Sequence, residues 1–271
     1  MGRGSERKTG AVRGGALRRL VVTGAVTALA GLHPVAASAE ERPEARVLGG
    51  ADVAADDAPW AVALTDKDGR QFCGGALVSP IKVITAAHCV VSPMTGAKRT
   101  PEDLRAIAGR TDLRTERGTV GEVEGIWIHP GFRDYTSGDD VAVLTLRTPM
   151  PQRPLEMVAA GAAEPYRPGA VARVYGWGRT SESGSPSDTL RSVDVPVTTE
   201  EACRNTYPNY DGRSMFCAGY PEGGTDACAG DSGGPVVADN RLIGVVSYGM
   251  GCGRPNTPGV YTRLSSYSGE L

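Results

Sequence analysis

The chain has 271 residues, 40% hydrophobic and 22% charged, with a formal net charge of −2. That length is ample for a sizeable core. The balance, more acidic still once the basic leader is discounted, argues against nucleic acid as a partner. In chain order, residues 1–19 are rich in Arg and Lys, and Leu20 to Leu32 is apolar and uncharged. With the small-residue site at Ala37-Ser-Ala39, residues 1–39 read as a secretory signal peptide and predict a secreted, extracellular product. The apolar run is too short for a membrane-spanning helix and no later segment qualifies, so no membrane partner is expected. Arg18-Arg19 leaves both the general and the twin-arginine export routes open. A short charged peptide, Glu40 to Arg46, follows.

From there the chain shows short apolar or alternating runs punctuated by Gly, Pro, Asn and Asp. They are Trp60–Leu64, Ala76–Val78, Lys82–Thr85, Val120–Ile128, Val141–Leu146, Val171–Tyr175, Leu190–Val197 and Leu242–Ser247. This spacing predicts an all-β protein of antiparallel strands. Neither helical periodicity nor an internal repeat stands out.

The chemistry concentrates in Cys228-Ala-Gly-Asp-Ser-Gly-Gly-Pro235, where Ser232 lies among glycines. Glycines permit turns and close approaches that a Cβ would block. A serine hydroxyl needs an adjacent base to become a nucleophile. Only three histidines exist: His33 in the leader, His88 after the apolar run Val83-Ile-Thr, and His129 before Pro130. His129 reads as a structural residue at a strand end, which leaves His88. The segment around Ser232 also fits the nucleophile elbow of lipases, but that fold needs a histidine after the serine. None follows here. The order histidine, acid, serine remains. Asp140, adjoining the apolar run Val141-Ala-Val-Leu144, is the acid, and Asp139 reads as a turn residue.

Thr85-Ala-Ala-His-Cys89, Asp140-Val-Ala-Val-Leu144 and Gly230-Asp-Ser-Gly-Gly-Pro235 together resemble the signature blocks of the trypsin and chymotrypsin family. Pro59-Trp60, Cys73-Gly-Gly-Ala-Leu77, Gly176-Trp-Gly178, Ser247-Tyr-Gly249 and Pro258-Gly-Val-Tyr261 extend the likeness from Val47 to about Leu264. The pattern is most similar to secreted bacterial trypsins. The resemblance implies two packed antiparallel six-stranded β-barrels over 47–271, the first about 60–150 and the second about 168–264. The Pro-rich stretch Pro149–Pro168 would cross between them, and the active site would lie in the cleft. It implies a trypsin-like serine endopeptidase with His88, Asp140 and Ser232 as catalytic residues and the N–H groups of Gly230 and Ser232 as the oxyanion hole. Ser247 would support the buried aspartate.

Further implications concern specificity, activation and stapling. Asp226 matches the aspartate at the base of the primary pocket, with Ala227, Ser247, Tyr248, Gly249 and Gly259 around the substrate. A carboxylate there selects Arg and Lys, and Ala227 offers no hydroxyl to help a lysine ammonium, so Arg is favoured. Arg46 followed by Val47-Leu-Gly-Gly50 is similar to a zymogen activation junction. Residues 40–46 would be the propeptide, and the new Val47 ammonium would pair with Asp231. Six cysteines allow fifteen pairings, and the resemblance selects Cys73–Cys89, Cys203–Cys217 and Cys228–Cys252.

No cofactor or metal is expected. The chain lacks a C-x-x-C pair and has few histidines, and Arg110 stands where calcium-binding relatives place a glutamate. The chain also ends earlier than most relatives, so Ser265 to Leu271 can supply little of their C-terminal helix. The implied partners are protein and peptide substrates and protein protease inhibitors, met by a monomer. Two alternatives stay open: a catalytically silent binding protein on this fold, or a protease of broader, chymotrypsin-like specificity. Arg46→Gln is expected to block maturation and leave little activity. Full peptidase activity with residues 40–46 still attached would contradict the activation reading.

Overall fold

The computed structural model describes residues 48–92 and 95–271. The expected signal (1–39), propeptide (40–46) and the junction residues Arg46 and Val47 lie outside the described residues. The first barrel is a closed ring of six antiparallel strands: β2 (Ala61–Asp66), β3 (Gln71–Ser79), β4 (Lys82–Thr85), β5 (Leu104–Ala108), β6 (Thr119–Ile128) and β7 (Ala142–Leu146). Their order around the ring is β2-β3-β4-β7-β6-β5. Full closure satisfies the backbone donors and acceptors that an open edge would leave unpaired. Bulges between Leu64 and Thr65, Leu77 and Ser79, and Val123 and Gly125 bend three of the strands. Small residues make the tight curvature possible. At Gly75, for example, a Cβ would lie 2.7 Å from Val83 and 3.1 Å from the Ile84 carbonyl oxygen.

The second sheet runs β1 (Ala51–Asp52), β9 (Arg191–Pro196), β8 (Val171–Gly176), β11 (Pro235–Ala238), β12 (Arg241–Tyr248), β13 (Gly259–Arg263) and β10 (Met215–Ala218). Six of these strands curl into a half-barrel, the counterpart of the expected second barrel, and the two-residue β1 adds a seventh at the β9 edge. The sheet curls until its far edge returns to the end of β9. There Val197 bridges Ala218, Thr198 N–H donates to Cys217 O at 2.9 Å, and Gly219 N–H donates to Pro196 O at 2.9 Å. The closure is thus a few bonds wide where the first barrel has full ladders. One short helix, α1 (Glu200–Thr206), interrupts the β-structure and is capped by the Thr199 side chain, which accepts from Ala202 N–H.

The barrels share one continuous hydrophobic core. Trp60 of the first meets Tyr175 of the second edge-on, with ring centroids 4.8 Å apart. The proline-rich crossing touches both: Leu155 N–H donates to Leu77 O of β3 at 2.8 Å, and Val158 N–H to Leu242 O of β12 at 3.0 Å. Near the C-terminus, Leu264–Ser266 forms a single 3-10 turn. Beyond it Tyr267 reaches back to the first barrel, donating its hydroxyl to Asp139 at 2.8 Å. These contacts set the two barrels edge to edge along one cleft.

Candidate active site

The apolar strand β4 ends in a single 3-10 turn, Ala87–Cys89, that carries His88. The Cys73–Cys89 disulfide ties this turn to β3. Asp140 lies just ahead of β7 and is 2% exposed. Its carboxylate is fully engaged: Oδ1 accepts the His88 backbone N–H at 2.9 Å, while Oδ2 meets His88 Nδ1 at 2.7 Å and accepts the Ser247 hydroxyl at 2.6 Å. Ser247 comes from β12 of the second barrel. Thr262 of β13 holds the same residue through its carbonyl oxygen at 2.7 Å. A carboxylate on Nδ1 fixes that nitrogen as the N–H donor and leaves Nε2 as the acceptor of the neutral ring. Burial works against the imidazolium, but the charge and hydrogen bond of Asp140 outweigh it, and the His88 pKa is raised above its ordinary value.

Ser232 and His88 line the same cavity, of about 350 Å³. Among the described residues the Ser232 hydroxyl has no hydrogen-bond partner. The loop that carries Ser232 is held by its backbone: Ser232 O accepts from Gly74 N–H and Gly233 N–H donates to Val246 O, both at 2.7 Å. The N–H groups of Gly230 and Ser232 have no intramolecular acceptor among the described residues. Gly230 sits at φ +102°, and a Cβ there would come within 3.0 Å of Gly178 Cα. Only glycine suits that conformation.

Asp226 also lines the cavity, together with Ala227, Ser247, Tyr248, Gly249 and Gly259. The Asp226 carboxylate is 3% exposed and accepts from Ala227 N–H at 2.8 Å and Gly253 N–H at 3.0 Å. Burial pushes its pKa up to about 7, against the pull of those two N–H groups. A Cβ at Gly259 would lie 2.8 Å from this carboxylate and from the Tyr261 hydroxyl, so any side chain there displaces the acid itself. Gly249 is different, since a Cβ would find only ordinary contacts. Its smallness matters for the open cavity rather than for the backbone.

Asp231 is fully buried, and its carboxylate accepts from Gly178 N–H at 2.8 Å and Cys228 N–H at 2.9 Å. Burial raises its pKa to about 6, and the two N–H groups offset part of that. Cys228–Cys252 closes one wall of the cavity, and Cys203–Cys217 joins α1 to β10. Cys73 and Cys89 have sulfur atoms near His88, but both are spent in a disulfide and offer no thiolate to a metal. His129 lies apart from the cavity, packed against Trp127 and Tyr267 and accepting the Gly131 N–H at 3.1 Å.

Three residues of the site were given no role from the sequence. Tyr135 stands edge-on to both His88 and Tyr248 over the cavity. Tyr261 reaches Asp226 with its hydroxyl at 3.5 Å. Gln71 donates its side-chain amide to Gly230 O at 2.8 Å. The Gly-Val-Tyr block could have pointed to Tyr261. Nothing local distinguishes Tyr135 or Gln71.

The trypsin family model matches residues 47–269. A trypsin of Saccharopolyspora erythraea is 46% identical over 221 residues, 82% of this chain and 94% of that protein. The vitellin-degrading protease of Bombyx mori is 39% identical, covering 86% and 87% of the two chains, and trypsin-3 of Salmo salar is 34% identical, covering 82% and 90%. With this fold, this length of match and a serine, a histidine and a buried aspartate gathered at one cleft, the chain belongs to the trypsin family of serine endopeptidases.

Proposed function

We propose that this endopeptidase is made as a secreted zymogen and cleaves peptide bonds after arginine, and less readily after lysine, through an acyl-enzyme on Ser232. The observation that carries the reading is a buried carboxylate, Asp226, in the same cavity as His88 and Ser232. In the reaction His88 Nε2 accepts the Ser232 proton as the hydroxyl attacks the scissile carbonyl. Asp140 holds the ring and stabilises its charged form. The negative oxygen forms toward the free N–H groups of Gly230 and Ser232. His88 then gives its proton to the leaving amine, and water repeats the sequence to release the acid.

Arginine fits the cavity's chemistry. A guanidinium presents a planar pair of donors to a carboxylate, and its charge favours the ionised form of Asp226 that burial disfavours. A lysine ammonium would meet a methyl group at Ala227 where a hydroxyl could have served it. Asp231 supports the activation reading. A fully buried carboxylate held by two neutral N–H groups gains most from a cation. The Val47 ammonium released by cleavage after Arg46 would supply one. Leu48, next in the chain, accepts the Asp226 N–H at 3.1 Å, beside the loop that carries Asp231. The leader and the three disulfides fit an extracellular site of action, where protein inhibitors would meet the same cleft.

Two measurements test the proposal. On matched Arg, Lys and Phe peptide amides, the matured enzyme should prefer Arg over Lys and barely cleave Phe. Ser232→Ala should lose about 10³-fold or more in kcat. Equal turnover of Arg and Lys would contradict the specificity, and a fully active Ser232→Ala would contradict the mechanism. Binding of benzamidine should strengthen as pH rises from about 5 to about 8, because Asp226, with its pKa near 7, becomes the anion that binds the cation. Asp226→Asn should weaken binding and flatten that dependence. An unchanged pH profile in the variant would place the recognition elsewhere.

A further inference from the structure

Gln71 opens β3, and its side-chain nitrogen makes two hydrogen bonds: to Cys73 O of its own strand at 2.9 Å and to Gly230 O of the second barrel at 2.8 Å. Both partners are carbonyl oxygens, so the contacting atom must be the donating Nε2. Both of its hydrogens are used. The second bond therefore links the first barrel to the loop that presents the Gly230 N–H.

Gly230 stands between two peptide planes. In the first, Ala229 O accepts from Arg179 N–H at 2.8 Å. Carbonyl and N–H point opposite ways in a trans peptide, so this bond turns the Gly230 N–H away from Arg179. In the second plane, Gly230 O is held by Gln71, and the opposed Asp231 N–H donates to Cys228 O at 2.9 Å. With both planes held, the φ and ψ of Gly230 are held too. A glycine at φ +102° has more accessible conformations than any other residue would. The loop needs such restraints to keep one orientation of its free N–H.

The geometry points to Gln71 as a positioning residue for the oxyanion hole: its side-chain amide, anchored on the first barrel, fixes the Gly230 peptide so that the N–H faces the developing negative oxygen. This rests on the oxyanion role given above to Gly230 and Ser232. Gln71 itself does not line the cavity that His88 and Ser232 share. It acts by keeping a donor in place before the reaction, where the misdirection of one such donor weakens transition-state binding more than ground-state binding.

Gln71→Met fills similar space without a donor, and Gln71→Glu turns a carboxylate oxygen toward two carbonyl oxygens. Both are compared with the wild type as mature enzymes, with rates normalised to titrated active sites. The readouts are kcat and KM on an arginyl peptide amide, and inhibition by a peptidyl arginine aldehyde and by benzamidine. The aldehyde forms a tetrahedral adduct whose oxygen needs the oxyanion donors, whereas benzamidine needs only the pocket. We expect kcat to fall about tenfold in Gln71→Met and further in Gln71→Glu, with aldehyde affinity weakening in parallel and KM and benzamidine affinity unchanged. Wild-type kcat and aldehyde affinity in both variants would overturn the role of Gln71. So would an equal loss of benzamidine affinity, which marks a general loosening of the site. If the wild type itself binds the aldehyde no better than the matching alcohol, the oxyanion reading fails and the role of Gln71 fails with it.

Discussion

The site depends on one buried aspartate that both barrels hold. Asp140 belongs to the first barrel, yet two of the groups that hold it, Ser247 and Thr262, lie on neighbouring strands of the second. Buried charges and buried carbonyl groups both cost free energy when left short of partners. The Ser247 bond to the carboxylate and the Thr262 bond to the main-chain carbonyl therefore favour the arrangement of the barrels that brings these donors to Asp140. The same arrangement sets His88 opposite the Ser232 loop. The fold and the site are therefore coupled through a polar contact as well as through the shared apolar core. Gly74 N–H to Ser232 O and Gln71 to Gly230 O repeat the pattern, each fastening the serine loop to β3.

Three aspartates around this cleft differ in their surroundings, and the roles proposed for them follow those differences. The Asp140 carboxylate has three donors, two of them from His88. Asp226 is buried with two backbone N–H donors, a nearby tyrosine hydroxyl and an open cavity in front, which suits it to await a cation from solution. Asp231 has two N–H donors and no exposure at all, which suits it to a cation supplied by the chain. Desolvation raises the pKa of both Asp226 and Asp231. In each case a positive partner would recover the stabilisation that burial removes.

Much of this was legible in the residues, and the reasons for the remainder are physical. β4 matches its expected run residue for residue, Lys82–Thr85, because Val83, Ile84 and Thr85 are consecutive β-branched residues and all three are buried. β1, β5, β10, β11 and β13 were missing from the expected runs. They are two to five residues long, and β11 begins with a proline and β13 with a glycine. Such strands exist because distant partners pair with them, and no local pattern reports that. The helix α1, at seven residues, is too short for a 3.6-residue period to declare itself. In the site, residues inside compact blocks such as Gly230 to Pro235 were legible. Gln71 and Tyr135 were not, since their importance arises only when strands far apart in sequence meet. Asp139 shows a finer limit. It takes a left-handed conformation, at φ 54°, but its carboxylate is only part-exposed and takes the Tyr267 hydroxyl.

The central claim is that Asp140, held from both barrels, tunes His88. Proton NMR titration of the His88 ring in the wild type and in Asp140→Asn tests it most directly. The wild-type midpoint should lie above the ordinary imidazole value of about 6.5, because the carboxylate outweighs burial. In Asp140→Asn burial acts alone and the midpoint should drop below that value. A wild-type midpoint at or below the ordinary value, or one that the substitution leaves in place, would contradict the account.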